Sequence, residues 1–126
     1  MSITKYTEEH EWLKIEDDGV VTVGITDFAQ DHLGDLVYVQ LPDVGNQVEK
    51  GEEVAVIESV KTASEINMPV AGVITEINGL LADEPGKINE DPMGAGWFFK
   101  FQASDVTELE GLLDEAGYTA FVASLG

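Results

Sequence analysis

Side chains that could do chemistry are sparse in this 126-residue sequence, and their spacing does not suit catalysis. The two histidines, His10 and His32, are not near a Gly-x-Ser-x-Gly turn, which an α/β-hydrolase would need. His10-Glu11 begins like a His-Glu-x-x-His zinc motif, but the second histidine is missing. The chain has no cysteine, which excludes thiolate nucleophiles, disulfides and cysteine-ligated metals. We therefore expect a protein without catalytic or metal-ligating residues, which carries or binds something.

One lysine occupies an unusual place. Residues 53–59 and 62–68 are two extended, strand-like stretches, and the Val60-Lys61 join between them contains no glycine, proline or asparagine. The pattern predicts a hairpin with Lys61 at or beside its tip. Hairpin-tip lysines are more often plain solvated turn residues, so the pattern alone gives Lys61 no function.

The elements that must position this hairpin are predicted to be short strands separated by turns, as in a sandwich or barrel. Asp17-Asp18-Gly19 indicates a turn between two strands. Thr26 or Asp27 can begin a short helix that ends at Gly34. A Pro-x-x-Gly pattern occurs at residues 42–45 and again at 69–72, which suggests two related strand-turn units.

The C-terminal third is predicted to contain a loop, a strand and helices. Residues 80–96 indicate a loop with one helical turn, and the aromatic run 97–101 indicates a core strand. Asp105 followed by Glu108 resembles a capping box, and apolar residues then recur at helical spacing to residue 116. We expect an amphipathic helix there, broken by Gly117, and a further short turn or helix over 118–125.

The charge balance restricts the partners. The chain has 25 acidic residues against six lysines, a formal net charge of -19. Nucleic acid is a poor partner, because binding it depends on basic residues that release counterions. No apolar run approaches the ~20 residues that cross a bilayer, and no signal or transit peptide is visible. We expect one domain over residues 1–126, located in the cytoplasm, without nucleic acid or membrane partners.

The segment around the lysine, Glu58-Ser59-Val60-Lys61-Thr62-Ala63-Ser64-Glu65, resembles the lipoylation hairpin of the glycine cleavage H-protein family. Other segments agree in order and spacing: His10-Glu11-Trp12 and residues 24–34, 41–45 and 96–100. The resemblance covers essentially the whole chain. The sequence departs from the family pattern at Thr62, where alanine is common, and at Glu65, where aspartate is common. Both changes keep the size class or the charge.

The resemblance implies a mainly β fold, a lipoyl-domain-like barrel-sandwich hybrid of short antiparallel strands with short peripheral helices and a C-terminal helix. It also implies a bacterial carrier with lipoate in amide linkage on Lys61. The carrier would accept the aminomethyl group of glycine from the pyridoxal phosphate-dependent glycine decarboxylase (P protein). It would pass the one-carbon unit through the aminomethyltransferase (T protein) and be reoxidised by dihydrolipoyl dehydrogenase (L protein). A lipoate ligase or an octanoyl or lipoyl transferase would modify the lysine, and we expect a monomer.

Four other residues are candidates for handling the lipoyl arm. Glu58 and Glu65 flank the lysine and are candidates for recognition by partner enzymes. We hypothesise that Glu11, His32 and Glu65 line a cleft that shelters the loaded arm from water. The alternatives are that Glu58 and Glu65 are solvated strand carboxylates, and that His32 is a surface histidine at a helix end, where the dipole favours its cation.

Rival carriers share the hairpin and stay open at this point. An H-like protein that only relays lipoate to other enzymes would have the same turn. A biotin carrier, or a lipoyl carrier of another complex, is a further alternative, although biotin carriers usually place methionine on both sides of the lysine. Here Val60 and Thr62 flank it. An unmodified interaction domain would keep its activity after Lys61→Arg.

Overall fold

The computed structural model describes residues 3–125, and in this part of the chain two antiparallel sheets form the body of the molecule. The strands are β1 (Ile3–Tyr6), β2 (Glu11–Ile15), β3 (Val20–Ile25), β4 (Leu36–Gln40), β5 (Gln47–Val48), β6 (Glu53–Ser59), β7 (Ala63–Asn67), β8 (Gly72–Ile77) and β9 (Phe99–Ala103). The helices are α1 (Asp27–Leu33), α2 (Leu80–Asp83), α3 (Lys87–Glu90), a 3₁₀ helix (Val106–Gly111) and α4 (Glu115–Leu125).

The sheets are unequal in size. One has the order β1-β2-β3-β9-β8-β5 and the other the order β4-β6-β7. Both contribute side chains to one apolar core, in which Leu13, Val21, Ile57, Ile74 and Phe101 are almost fully buried. The predicted mainly β fold of short antiparallel strands is confirmed. In the described residues, no helix has the length and apolar character required to span a membrane.

Local signals place the first elements as predicted. Gly19 adopts a φ of 86° in the turn between β2 and β3. The Thr26 hydroxyl accepts a hydrogen bond from the amide of Ala29 and caps α1. Gly34 ends the same helix at a φ of 82°, where its amide donates to the carbonyl of Gln30. A glycine suits this position because it has no Cβ to clash in a left-handed conformation.

The two Pro-x-x-Gly segments occupy related places. The first lies between β4 and β5 and the second between β7 and the start of β8. The strands that follow them pair with each other, with Val48 opposite Gly72. The amide of Gly45 also donates to the carbonyl of Ile74 at 2.7 Å. The repeat therefore corresponds to two strand-turn units that contact each other.

Two predicted boundaries in the next segment were wrong. Residues 80–96 contain two short helices, α2 and α3, where one helical turn was predicted. The aromatic strand β9 begins at Phe99, and Phe98 precedes it. The Phe98 amide donates to the carbonyl of Val23 at 2.7 Å, while its carbonyl accepts from Asn78 at 3.0 Å. Phe98 therefore joins β3 to the turn after β8, outside the regular ladder.

The helix predicted over residues 118–125 is present as part of α4, but the amphipathic helix predicted up to residue 116 was wrong. Residues 106–111 form a 3₁₀ helix, and Gly117 lies inside α4. The reason is a β-bridge between Leu113 and Tyr6, in which each amide donates to the other's carbonyl, at 3.0 and 2.7 Å. A bridge requires extended backbone, so it interrupts the helical pattern.

Polar side chains begin each of the two resulting helices. The Asp105 carboxylate accepts from the amide of Thr107 at 3.0 Å, so the predicted reciprocal capping box with Glu108 is not the observed geometry. The Asp114 carboxylate accepts from the amide of Gly117 at 2.7 Å and starts α4. The helix thus begins at the first capping residue after the bridge.

Candidate functional site

Lys61 lies at the tip of the β6–β7 hairpin, where Glu58 is paired with Ala63. The turn is built by Ser59, whose hydroxyl oxygen accepts from the amides of Lys61 at 3.2 Å and Thr62 at 3.1 Å. The Ser59 amide donates to the carbonyl of Thr62 at 2.8 Å. A serine hydroxyl can satisfy turn amides in this way, which explains why the turn needs no glycine, proline or asparagine. No role was predicted for Ser59 from its sequence position.

The hairpin tip is held against the junction between α1 and β4. The Val60 amide donates to the carbonyl of Asp35 at 3.0 Å, and Leu36 pairs with Ser59. The residue next to the lysine is therefore hydrogen-bonded outside its own hairpin. This contact restricts the backbone from which the lysine side chain extends.

Asn89 of α3 supports that junction from the other side. Its side-chain oxygen accepts from the Leu36 amide at 2.9 Å. Its amide group donates to the Gly34 carbonyl at 2.9 Å and to the Gln30 side chain at 3.0 Å. No local sequence pattern indicates this role, because the three partners lie more than fifty residues from Asn89.

Gly34 forms a cradle for the lysine stem. A Cβ atom at residue 34 would lie 3.2 Å from Cε and 3.7 Å from Nζ of Lys61. The stem thus lies over a backbone surface that a Cβ on residue 34 would crowd. Of the ion pairs between described residues, none involves Lys61, and its side chain is exposed. This arrangement fits an acyl group on Nζ, since acylation breaks no ion pair seen here and Nζ is accessible.

A cavity of about 220 Å³ lies beside this cradle. His32 and Leu33, which immediately precede Gly34, belong to its lining, as do Glu11 and Glu65. The structure therefore brings together the three residues of the cleft hypothesis, Glu11, His32 and Glu65. The remainder of the lining is mostly apolar, including Ile25 and Ile57, and also contains Glu9, His10 and Ser64. A pocket with an apolar lining and a few polar groups is typical of a site for a small organic group.

Glu11 is the buried polar group of the cavity, with 2 % of its surface exposed. Burial, and then the charge of Glu9, raise its pKa to about 8, although hydrogen bonds from the Thr7 side chain and the Asn67 backbone act in the opposite direction. The Thr7 hydroxyl lies 3.3 Å from Glu11 Oε1. At neutral pH the carboxyl is therefore mostly protonated, and it can ionise when a cation enters the cavity.

His32 sits in the last turn of α1 with its side chain exposed. Its Nδ1 lies 3.1 Å from the carbonyl oxygen of Phe28. A carbonyl can only accept, so Nδ1 is the donor of this hydrogen bond. The ring also packs on Phe28, with centroids 4.2 Å apart. His32 is thus both a histidine at a helix end and part of the cavity lining.

The two glutamates that flank the lysine have different surroundings. Glu65 on β7 lines the cavity, whereas Glu58 on β6 does not. Glu58 is exposed and pairs across the strands with Tyr38 and Ala63. The structure therefore separates Glu58 from the other candidates. It also adds His10 to the cavity lining, a role that was not predicted for this residue.

The family model described as glycine cleavage H-protein matches residues 4–125. The chain belongs to the glycine cleavage H-protein family. It is 50% identical over 125 residues to the glycine cleavage system H protein of Rhodospirillum rubrum, with 99% of both chains covered. It is 56% identical over 123 residues to that of Thermotoga maritima, with 98% of both covered.

A solved structure agrees with the sequence comparisons. The crystal structure of a glycine cleavage system H protein from Mycobacterium marinum matches with a TM-score of 0.87 and 42% identity, covering 95% of this chain and 96% of that one. The predicted lipoyl-domain-like barrel-sandwich fold is confirmed.

Family membership also establishes the function. The chain is a lipoyl carrier of the glycine cleavage system, it works with the other components of that system, and it is not itself a catalyst. Members of the family carry lipoate on a lysine. The predicted family, carrier function and cofactor are therefore confirmed. The identity of the lysine and the roles of the cavity residues stay predictions.

Proposed function

We propose that Lys61 is the lysine that bears lipoate, and that the adjacent cavity retains the arm when it is loaded. The observation that carries this proposal is the position of the Lys61 stem over Gly34, next to the cavity-lining residues His32 and Leu33. When attached, lipoate supplies the disulfide and thiol chemistry that a chain without cysteine lacks. The protein supplies position and shelter.

Three of the other five lysines are less suited to attachment, because their ammonium groups have partners. Lys14 and Lys87 lie 3.9 Å from the carboxylates of Glu16 and Glu90, and Lys100 lies over the ring of Trp97. Lys50 is exposed in the turn between β5 and β6 and does not belong to the lining of the cavity. It provides a matched control for Lys61.

Polar groups of the cavity suit an aminomethyl cargo. Glu65 places a carboxylate at the lining, and Glu11 can exist in either protonation state near neutral pH because its pKa is about 8. A cationic amine close to Glu11 would favour the ionised carboxylate and form a charge-assisted hydrogen bond. Ile25, Leu33 and Ile57 exclude water from the same space, which slows hydrolysis of a labile group.

The proposed partners are the enzymes that the arm must visit. Glycine decarboxylase loads it, the aminomethyltransferase unloads it and dihydrolipoyl dehydrogenase reoxidises it, while a lipoate ligase or an octanoyl or lipoyl transferase attaches it. Membership of the glycine cleavage family supports this set. We propose that the attaching enzyme recognises Glu58, which is exposed beside the tip and lies outside the cavity. A monomer in the bacterial cytoplasm stays a prediction.

Mass spectrometry of the protein purified from a lipoate-producing host tests the attachment site. We expect a lipoyl or octanoyl adduct on the peptide that contains Lys61, its loss in Lys61→Arg and its retention in Lys50→Arg. An adduct that persists in Lys61→Arg would overturn the assignment. Loading the lipoylated protein with glycine and the decarboxylase then separates a glycine cleavage carrier from a lipoate relay, which would accept no aminomethyl group.

A further inference from the structure

A hydrogen-bonded cluster joins the C-terminal helix α4 to the wall of the cavity. The hydroxyl of Tyr118 lies 2.9 Å from Nδ1 of His10 and 2.7 Å from the hydroxyl of Thr26. His10 lines the cavity, and Thr26 caps α1, the helix that carries His32. One phenol oxygen therefore connects α4 to two of the segments that supply polar groups to the cavity, residues 9–11 and helix α1. Tyr118 is 8 % exposed, so water competes little for these hydrogen bonds.

His10 is held in an unusual backbone conformation. Its φ of 68° is the only positive value for a non-glycine residue in the described part of the chain. A side chain with a Cβ disfavours this left-handed conformation, so the surrounding contacts must stabilise it. Its carbonyl accepts from the Thr26 amide at 2.9 Å, and its ring packs on Phe28 with centroids 4.5 Å apart.

The conformation of His10 sets the start of β2. Glu11 follows His10 directly, and its buried carboxyl lines the cavity. The carboxyl itself accepts hydrogen bonds from the Thr7 hydroxyl, 3.3 Å away, and from the Asn67 backbone. Because Glu11 follows the His10 turn directly, its orientation also depends on the residue before it. The His10 ring lies between Phe28 of α1 and Tyr118 and Phe121 of α4.

We propose that Tyr118 is a positioning residue for the arm cavity: its hydroxyl fixes the His10 imidazole and, through the His10 turn, the carboxyl of Glu11. The inference rests on the proposed shelter function of the cavity. Helix α4 then helps to retain the loaded arm, although it lies far from the lysine hairpin along the chain. Tyr118 does not touch the cargo, because it does not belong to the lining of the cavity.

Tyr6 offers a matched control for Tyr118. The two rings are stacked, with centroids 4.7 Å apart and planes at 11°, and both residues are 8 % exposed. Among the residues that the structure describes, the Tyr6 hydroxyl forms no hydrogen bond to another side chain. Tyr6→Phe and Tyr118→Phe therefore remove the same atom from the same stack. Only the second change removes the link to His10.

The experiment measures how long the lipoylated protein keeps its cargo. Each variant is loaded from glycine by the decarboxylase and then separated from it. Loss of the aminomethyl cation to water breaks the carbon–sulfur bond and releases one formaldehyde and one ammonium ion, leaving a thiol. We expect Tyr118→Phe to lose the cargo about fivefold faster than the parent, the order expected for one net hydrogen bond, and Tyr6→Phe to match the parent.

Two further readouts separate positioning from general stability. The ring nitrogen NMR signals of His10 should shift in Tyr118→Phe and stay in place in Tyr6→Phe. In a double-mutant cycle, Tyr118→Phe should have no further effect on cargo loss in a His10→Asn background, since asparagine tolerates the positive φ but lacks the imidazole. The cycle also keeps the test valid if Tyr118→Phe folds poorly by itself. An effect on cargo loss that is independent of His10 would add to the effect of His10→Asn.

The outcomes distinguish this inference from the function on which it rests. If Tyr118→Phe and Tyr6→Phe lose cargo at equal rates while Glu11→Gln accelerates the loss, the positioning role is wrong and the shelter function stands. If Glu11→Gln does not change the loss, the shelter function is wrong and the inference falls with it. Faster loss in Tyr118→Phe and in Glu11→Gln, with Tyr6→Phe unchanged, supports both.

Discussion

The stem of Lys61 lies across Gly34, and 3.2 Å separates the lysine Cε from the place that a Cβ on residue 34 would take. Gly34 ends α1 at a φ of 82°. One glycine therefore satisfies two demands, a left-handed helix end and an open path for the lysine. The two demands can be separated experimentally, because Gly45 adopts a φ of 92° and a Cβ there would meet nothing within 4 Å.

Gly34→Ala is expected to slow lipoylation of Lys61, whereas Gly45→Ala is not. Both changes place a Cβ in a left-handed conformation and should lower the free energy of unfolding by about 1–2 kcal/mol. Only the alanine at residue 34 contacts the lysine stem. Denaturant unfolding and the rate of modification by a lipoate ligase measure the two effects. Equal modification rates in the two variants would show that the cradle has no role in presenting the lysine.

Ser59→Ala is expected to loosen the hairpin tip. It removes the oxygen that accepts from the amides of Lys61 and Thr62, at a cost of about 1–2 kcal/mol to the local structure. Amide hydrogen exchange of residues 60–62 should accelerate, and lipoylation should become slower. Ser124→Ala, which removes a hydroxyl donor at the end of α4, is the control. Unchanged exchange at the tip would contradict the role of Ser59.

The raised pKa of Glu11 predicts a pH-dependent stability. The native state keeps a proton up to a pKa of about 8, whereas the unfolded chain releases it near the ordinary value of 4.5. The protonated Glu11 carboxyl therefore contributes its full stabilisation of the native state below pH 4.5. This stabilisation is lost as the pH rises towards 8. The slope is at most about 1.4 kcal/mol per pH unit.

Glu11→Gln provides the comparison, because the amide cannot ionise. The difference in free energy of unfolding between the parent and this variant should change steadily between pH 5 and about pH 8, to the disadvantage of the parent. Denaturant titrations at several pH values measure it. Curves that stay parallel over that range would show that Glu11 titrates with an ordinary pKa.

The two flanking glutamates should have different phenotypes. Glu65 lines the cavity, so Glu65→Gln is expected to shorten the lifetime of the aminomethyl-loaded protein. Glu58 lies outside the cavity, so Glu58→Gln should leave that lifetime unchanged and slow lipoylation. A ligase assay and a cargo-loss assay on the same two variants measure both effects. If both substitutions acted only on lipoylation, Glu65 would belong with Glu58 and not with the cavity.

Several features of the site could be predicted because short-range interactions decide them. The end of α1 at Gly34 and its start at Thr26 follow from capping chemistry within four residues. The β6–β7 hairpin follows from two extended stretches with a short join. The helix predicted before residue 117 failed because the Tyr6–Leu113 bridge joins opposite ends of the chain, and no local pattern reports such a contact.

The sequence by itself indicated the family through the resemblance of its motifs. It also determined the strand-and-turn plan and the hairpin that presents Lys61, since turn chemistry and apolar periodicity act over a few residues. Only the tertiary structure decided which candidates share a cavity, the protonation of Glu11 and the link from Tyr118 to His10, 108 residues away. A pKa depends on what covers the group, and a hydrogen bond depends on which distant elements meet. Both quantities arise only when the chain folds.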